Sequence, residues 1–373
     1  MTSPAPRDVW LRVLSADPTA TPSQTPTWLD SVCRSDGWHD ASRLYRMPDG
    51  RTLILPLVRR PLVGASTRGP VPVVQASFPH GWGTGGVLAP GGATAEDIAV
   101  VYADLCRNPR LRTMIRPGYA AAYTWARISA EGPRQRFRST YSVPRSTHVL
   151  DLSGGFAQVW SHRFTSKARN GIRNAERKAV AAGIDIRIGN TPDLVADFYR
   201  VYLRWLDQRA QQWRSLRPLA ALWSSAEPLC RFQTVAAMLG ADCRIWVAEL
   251  DGAPVAANIA LFHEYVAVGW RAYGDRAFAG SSRAQELLQC RSIEYACDIG
   301  CRTFVMGESG GMNGIRHVKE RLGAIEFDGA EYTFQRLPIP RLDGARTALR
   351  SRALGLASSV SLPAPVSGRG WRR

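Results

Sequence analysis

The sequence predicts an α/β protein, with mixed, mostly antiparallel sheets flanked by helices and arranged as two units. Three observations carry that reading. The chain has 373 residues, 45% of them hydrophobic, with 12 Trp and 11 Phe. That is more than one core holds at ~100–200 residues per domain. Residues 244–273 alternate as three strands, Arg244–Leu250, Val255–Phe262 and Tyr265–Tyr273, with Asp251-Gly252 and His263-Glu264 at the turns, which is an antiparallel meander. The stretch from Phe262 to Leu322 then reads as strand, Gly/Ser loop opening a helix, second strand, and a glycine loop leading to Lys319.

Taken in chain order, residues 1–26 are rich in Pro, Thr and Ser and predict an entry segment with little regular structure. A first unit, 27–150, opens on a short helix beginning at Trp28. Pro48-Asp49-Gly50 predicts a hairpin between a strand ending at Arg46 and one over Arg51–Arg59. FPHGWGTGG (78–86) is a glycine-punctuated loop before a helix from about Thr94 to Arg107, where Thr94-Ala95-Glu96-Asp97 suggests capping-box chemistry. Residues 111–150 read as further strands. A second unit, 151–340, opens on a long helix, Gly155–Ala182, with Ala168, Ile172, Ala175 and Ala179 forming an apolar stripe and Arg169, Arg173 and Arg177 on an adjoining face. A strand over Ile184–Ile188 and helices over Pro192–Arg209 and Leu216–Leu239 lead into the meander. Helix Ser282–Ile299, strand Thr303–Met306, helix Asn313–Arg321 and strands near Ile325–Phe327 and Glu331–Arg336 complete the unit. The tail, 341–373, is basic and too rich in Pro, Gly and Ser to fold alone.

Composition narrows the classes of function. No apolar run follows Met1 and no segment approaches ~18 consecutive apolar residues, so a cytoplasmic protein is the expectation. Seven cysteines, an odd number spread through apolar segments, predict free thiols rather than a disulfide framework. Cys290, Cys297, Cys301 and His317 fit no zinc spacing, so no metal is expected. A net charge of +17 implies a polyanionic partner: nucleic acid, a nucleotide-linked substrate or an anionic membrane surface. No serine-hydrolase elbow, Walker loop or HExxH helix is present.

Three stretches, SKARNGIRNAERKAVAAGIDI (166–186), WVAELDGAPVAANIAL (246–261) and FVMGESGGMNGIRHVKERLGA (304–324), together resemble the GNAT N-acyltransferases. Within that superfamily they look most like the Fem-like and BioF2-type enzymes, which carry two GNAT-like units in one chain. The first half matches more loosely, through TPTWLDSV, the Gly50 hairpin and the 78–86 loop. The resemblance implies tandem GNAT-like domains, an amine acceptor and an activated acyl donor. In Fem-like enzymes the donor is an aminoacyl-tRNA and the acceptor a nucleotide-linked peptide; ordinary GNAT enzymes use acyl-CoA. The acyl-CoA loop, Q/R-x-x-G-x-G/A, corresponds here to the run from Arg276 to Ser282, with Ala277 three places before Gly280. That departure weakens the case for CoA and, with the charge, favours aminoacyl-tRNA.

The candidate residues follow. Lys319 matches the lysine of the Fem-like F-K pair, with Val318 in place of the phenylalanine, and an ammonium there would stabilise the oxyanion of a tetrahedral intermediate. The plainer alternative is a solvated lysine paired with Glu308 or Glu320. Glu308 is a candidate base for the attacking amine, and Trp270, Arg271 and Tyr273 are candidates to line the acyl cleft. Arg276, Gly280, Ser281, Ser282 and Arg283 would bind donor phosphate at a helix N-terminus, although a serine N-cap also explains the serines. Lys167, Arg169 and Arg173 offer an anion site on one helix face, or a solvated face and nothing more. The leading expectation is an N-acyltransferase acting by direct attack of an amine on the acyl carbonyl. The alternatives are an acyl-CoA-dependent transferase of the same fold and a non-catalytic RNA- or anionic-membrane-binding protein.

Overall fold

The computed structural model describes residues 1–61, 73–107, 110–131, 139–212, 227–279, 283–310 and 312–335. In chain order these form α1 (Arg7–Ser15), α2 (Pro26–Asp36), β1 (His39–Asp40), β2 (Arg43–Arg46), β3 (Thr52–Leu55), β4 (Val58–Pro61), β5 (Val73–Ala76), α3 (Ala95–Arg107), β6 (Arg112–Ile115), α4 (Ala122–Glu131) and β7 (Ser139–Asp151). There follow α5 (Ser166–Ala181), β8 (Asp185–Gly189), α6 (Pro192–Gln212), α7 (Leu229–Leu239), β9 (Cys243–Leu250), β10 (Ala253–His263), β11 (Val266–Gly274), α8 (Ala284–Asp298), β12 (Thr303–Gly307), α9 (Asn313–Arg321) and β13 (Ile325–Gln335).

Where local sequence signals are strong, the elements form as expected. The meander closes through Asp251 and Gly252, both at positive φ (51° and 74°), and through Glu264 at 42°. The α3 start is a reciprocal cap: Asp97 N–H donates to Thr94 Oγ1 (3.2 Å) and Thr94 N–H to the Asp97 carboxylate (2.9 Å). The stripe on α5 is buried as its spacing requires.

Elsewhere competing chemistry wins. The entry segment is not irregular: α1 buries Trp10, Val13 and Leu14. The single strand expected over Arg51–Arg59 is two, because Pro56 has no N–H to donate; β3 pairs with β2, and β4 with β1 and β5. The stretch 119–131, expected as strand, is helical; it is alanine-rich, and α4 seats the fully buried Trp125. The helix expected over Gly155–Ala182 breaks before α5, where Phe164 is extended and Thr165 caps the Ala168 N–H at 3.2 Å. The two short strands expected at the end are the single strand β13. Residues 216–226 of one expected helix and the whole tail 341–373 lie outside the described residues.

One eleven-stranded sheet runs through the molecule in the order β1-β4-β5-β6-β13-β7-β12-β11-β10-β9-β8. Each half contributes one parallel junction joined through a helix, β5 with β6 across α3 and β11 with β12 across α8. The last strand of each half crosses to the other: β7 pairs with β12, and β13 with β6, while β7 and β13 pair antiparallel from Ser139↔Gln335 to Val149↔Ile325. On one face, α1, α2, α6 and α7 pack around Trp10, Trp28, Phe198 and Phe232. On the other, α5 and α8 pack against Trp246, Phe262 and Phe304.

Candidate active site

The strands β11 and β12 pair over only three rungs, Val266↔Thr303 to Val268↔Val305, and then part at Gly269 and Met306. A cavity of about 1030 Å³ occupies the gap. Its walls include Ala168 and Ala284 of α5 and α8 on one face of the sheet, and Trp205 and Arg231 of α6 and α7 on the other. The opening therefore passes through the sheet. A donor entering from one face and an acceptor from the other would meet at the β11 and β12 edges.

Lys319 closes one end of this opening. It is the sole buried residue of α9, at 8% exposure, and its Nζ donates to the carbonyls of Gly307 (2.8 Å) and Glu308 (2.9 Å) just past β12. An ammonium has three N–H donors, so one is left for a ligand. Burial pushes its pKa down to about 8, against the opposing pull of Glu308 and Glu326. Neither alternative salt bridge forms: Lys319 meets the Glu308 backbone, and Glu320 is held instead by Arg316 at 2.8 Å. Behind it lies His148, fully buried, with Nδ1 3.4 Å from Ser309 Oγ. Its pKa is lowered by burial and then by the Lys319 charge.

The other lip is built from residues far apart in sequence. The 78–86 loop reaches β11, where the Gly81 carbonyl accepts from Arg271 Nη2 (2.6 Å) and Trp270 Nε1 (3.2 Å). Gly81 needs to be glycine: φ is +86°, and a Cβ there would stand 3.0 Å from Glu227 Oε1. Glu227 pairs with Arg271 and, at 3.5 Å, with Arg231, which also donates to Asp36 at 2.7 Å. Burial alone would raise the Glu227 carboxyl; the charge and hydrogen bond of Arg271, then Arg231, hold it below the usual range. On the β12 side, Arg116 pairs with Glu331 and Arg145 reaches Glu308 at 3.5 Å.

The structure brings Lys319, Glu308, Trp270, Tyr273 and Arg283 to the walls of one cavity. Trp270 is also core, edge-on to Trp28 at 5.3 Å, and Tyr273 packs at a tilt against Tyr202 and Trp205 with its hydroxyl pKa raised by burial. Arg283 is bound to Glu286 at 2.7 Å. Gly280, Ser281 and Ser282 lie outside the described residues, and Arg276 opens a single helical turn, Arg276–Ala279. The α5 cations differ among themselves. Lys167 and Arg173 are exposed, whereas Arg169 Nη1 donates to the carbonyls of Trp160 (3.2 Å), Ser161 (3.1 Å) and Phe164 (2.5 Å), a job of holding the chain before α5.

None of the seven cysteines is in a disulfide. Among the described residues, the single His/Cys/Asp/Glu group close enough to share an ion is His148, Glu320 and Glu326, and Arg316 already bridges its two carboxylates at 2.8 and 2.7 Å. Sequence reasoning missed Glu227, Arg231, Arg145 and Glu331, which no local motif marks. It also passed over a usable signal for Lys319: three of the 48 basic residues are lysines, Lys167, Lys178 and Lys319. A lysine kept at a buried position in an arginine-dominated chain supplies what arginine lacks, a compact charge whose pKa responds to burial.

Residues 166–313 match the acetyltransferase (GNAT) domain family. Among solved structures, the chain is similar to FemX, with 9% identity, a TM-score of 0.60 and coverage of 93% of this chain and 98% of that one. It is also similar to a conserved protein of unknown function from Bacteroides thetaiotaomicron, with 9% identity, a TM-score of 0.50 and coverage of 88% and 97%. At such identities the likeness is one of fold, and it extends over nearly the whole chain. No curated protein matches the sequence. Among the described residues, no helix is long and apolar enough to cross a membrane.

Proposed function

We propose that this protein is an N-acyltransferase that moves an acyl or aminoacyl group from an activated donor to the amine of a small acceptor, with no covalent enzyme intermediate. The observation that carries the reading is the through-sheet opening between β11 and β12 with Lys319 at its end. In the transfer, the amine nitrogen forms the new C–N bond and the donor's ester or thioester bond breaks. The ammonium proton passes to Glu308 or to water, and the leaving oxygen or sulfur takes one up. The remaining N–H of Lys319 would meet the negative charge that develops on the carbonyl oxygen. Aminoacyl-tRNA is the donor we favour. The net charge of +17 and the exposed Lys167 and Arg173 beside the donor face support it.

The experiment offers bulk aminoacyl-tRNA or acetyl-CoA with a panel of primary amines and follows the acyl group by mass spectrometry. Acylated amine from one donor, lost in Lys319→Ala, is the expected result. No product from either donor, with tRNA binding unaffected by Lys319→Ala, would overturn the reading in favour of a non-catalytic RNA-binding protein.

A further inference from the structure

The chain carries +17 overall, yet one side of the cavity sets arginines against carboxylates. On the β12 lip, Arg116 and Arg145 face Glu331 and Glu308; on the β11 lip, Arg271 and Arg231 face Glu227 and Asp36. Most of these pairs are closed. Arg116 and Glu331 are 13% and 16% exposed and meet at 2.5 Å. Arg145 and Glu308 are the loose members. They are 30% and 37% exposed and 3.5 Å apart, and Arg145 lies 4.0 Å from Glu331. Among the described residues the buried Arg145 Nε has no hydrogen-bond partner. Both side chains line the cavity. A buried guanidinium N–H left open is costly unless a ligand or water satisfies it.

We propose that this side of the cavity is a subsite for a zwitterion, the ammonium and carboxylate of an α-amino acid or short peptide. Its carboxylate docks on Arg145 and its ammonium on Glu308. A phosphate-bearing ligand would bring like charge against Glu308, Glu331 and Glu227, and a plain cation would do the same against Arg145 and Arg116. A ligand with both charges answers the two loose groups without opening a closed pair. The same cavity offers its side chain the aromatic wall of Tyr202, Trp205 and Tyr273. The ammonium would then sit beside Glu308 at the end of β12. That placement as an acceptor rests on the acyl-transfer reading; the binding itself does not.

The test is calorimetric binding of L-phenylalanine, L-phenylalaninamide, N-acetyl-L-phenylalanine and glycyl-L-phenylalanine to the full chain without donor. A zwitterion should bind at least tenfold more tightly than both the amide cation and the N-acetyl anion. Arg145→Gln should erase the preference over the cation, and Glu308→Gln the preference over the anion, with melting temperatures unchanged. Tighter binding of the dipeptide than of the amino acid assigns the two charges to the ends of a peptide, and the reverse to a free amino acid. Equal or better binding of the amide or the N-acetyl compound, or binding of neither zwitterion, overturns the subsite. Acyl transfer to some other amine would then still stand, whereas zwitterion binding with no transfer would leave the subsite and remove the enzyme.

Discussion

The two parallel junctions of the sheet begin alike and end differently. Beyond the last rung of β5 and β6, Ser77 N–H donates to the Met114 carbonyl (2.8 Å), Ser77 Oγ accepts from Arg116 N–H (3.0 Å), and Gly85 of the returning loop donates to the Arg116 carbonyl (2.8 Å). The first junction is thereby plugged by its own chain. Beyond the last rung of β11 and β12, Gly269 and Gly307 carry no side chain into the gap, and the cavity opens there. The same topology is filled in one half and open to a cavity in the other. What differs is the filler: a backbone-bonded loop closes the first parting, whereas at the second side chains cap the strand ends, Lys319 on the Gly307 and Glu308 carbonyls and Arg271 on that of Trp270, and leave the space between open.

The comparison breaks most easily at Lys319. If the open junction is the site, Lys319→Ala should lower the transfer rate by about 10²–10³-fold, the scale of losing one oxyanion donor, while far-ultraviolet circular dichroism stays unchanged. Lys319→Arg should not restore it, because a planar guanidinium cannot donate to both carbonyls in the geometry of an ammonium. A variant that loses activity only by unfolding would make Lys319 a strut for α9.

The pH profile sharpens the same point. The amine is charged below about 8 rather than up to its ordinary range, so its proton is lost as pH rises through that value. A role that needs the ammonium predicts a rate that falls about tenfold per pH unit above 8; a role as base predicts a rise toward 8. The sequence has three lysines, so amine labelling read peptide by peptide can follow Lys319 directly, with half-maximal reactivity near pH 8.

The plugged junction should answer differently. A Cβ on Gly85 would lie 2.8 Å from the Ser77 Cβ, so Gly85→Ala should cost about 1–3 kcal/mol of stability through overpacking. Activity per folded molecule should survive. A loss of catalysis without a fall in melting temperature would mean that the first junction does more than brace the second.

These differences set what the sequence could disclose. The meander, α8, β12 and α9 were legible because periodicity, caps and turn glycines act within a few residues. Lys319 was legible through a short motif. The exchange of β7 and β13 was not, since strand pairing across halves leaves no local trace. Nor were the ion pairs: Arg116 and Glu331 are 215 positions apart, and Arg271 meets Gly81 across 190. Charge shows the limit in another form. Composition gave +17 for the chain and implied a polyanionic partner, whereas the lips of the cavity set arginines against carboxylates.

The smallest effect tests that division of charge on α5 itself. Arg173 is exposed, with its guanidinium 5.6 Å from the Trp160 ring, while Arg169 is committed to three backbone carbonyls. If the donor is a polyanion held along this face, Arg173→Glu should weaken tRNA binding several-fold and reduce the salt slope by roughly one, the share of a single phosphate. Its melting temperature should stay within the small range of surface substitutions. Arg169→Ala should do the opposite, lowering the melting temperature by freeing the turn before α5 while changing the salt slope little. Equal salt slopes for both variants and the parent would take the α5 face out of donor binding and leave its arginines as a solvated surface.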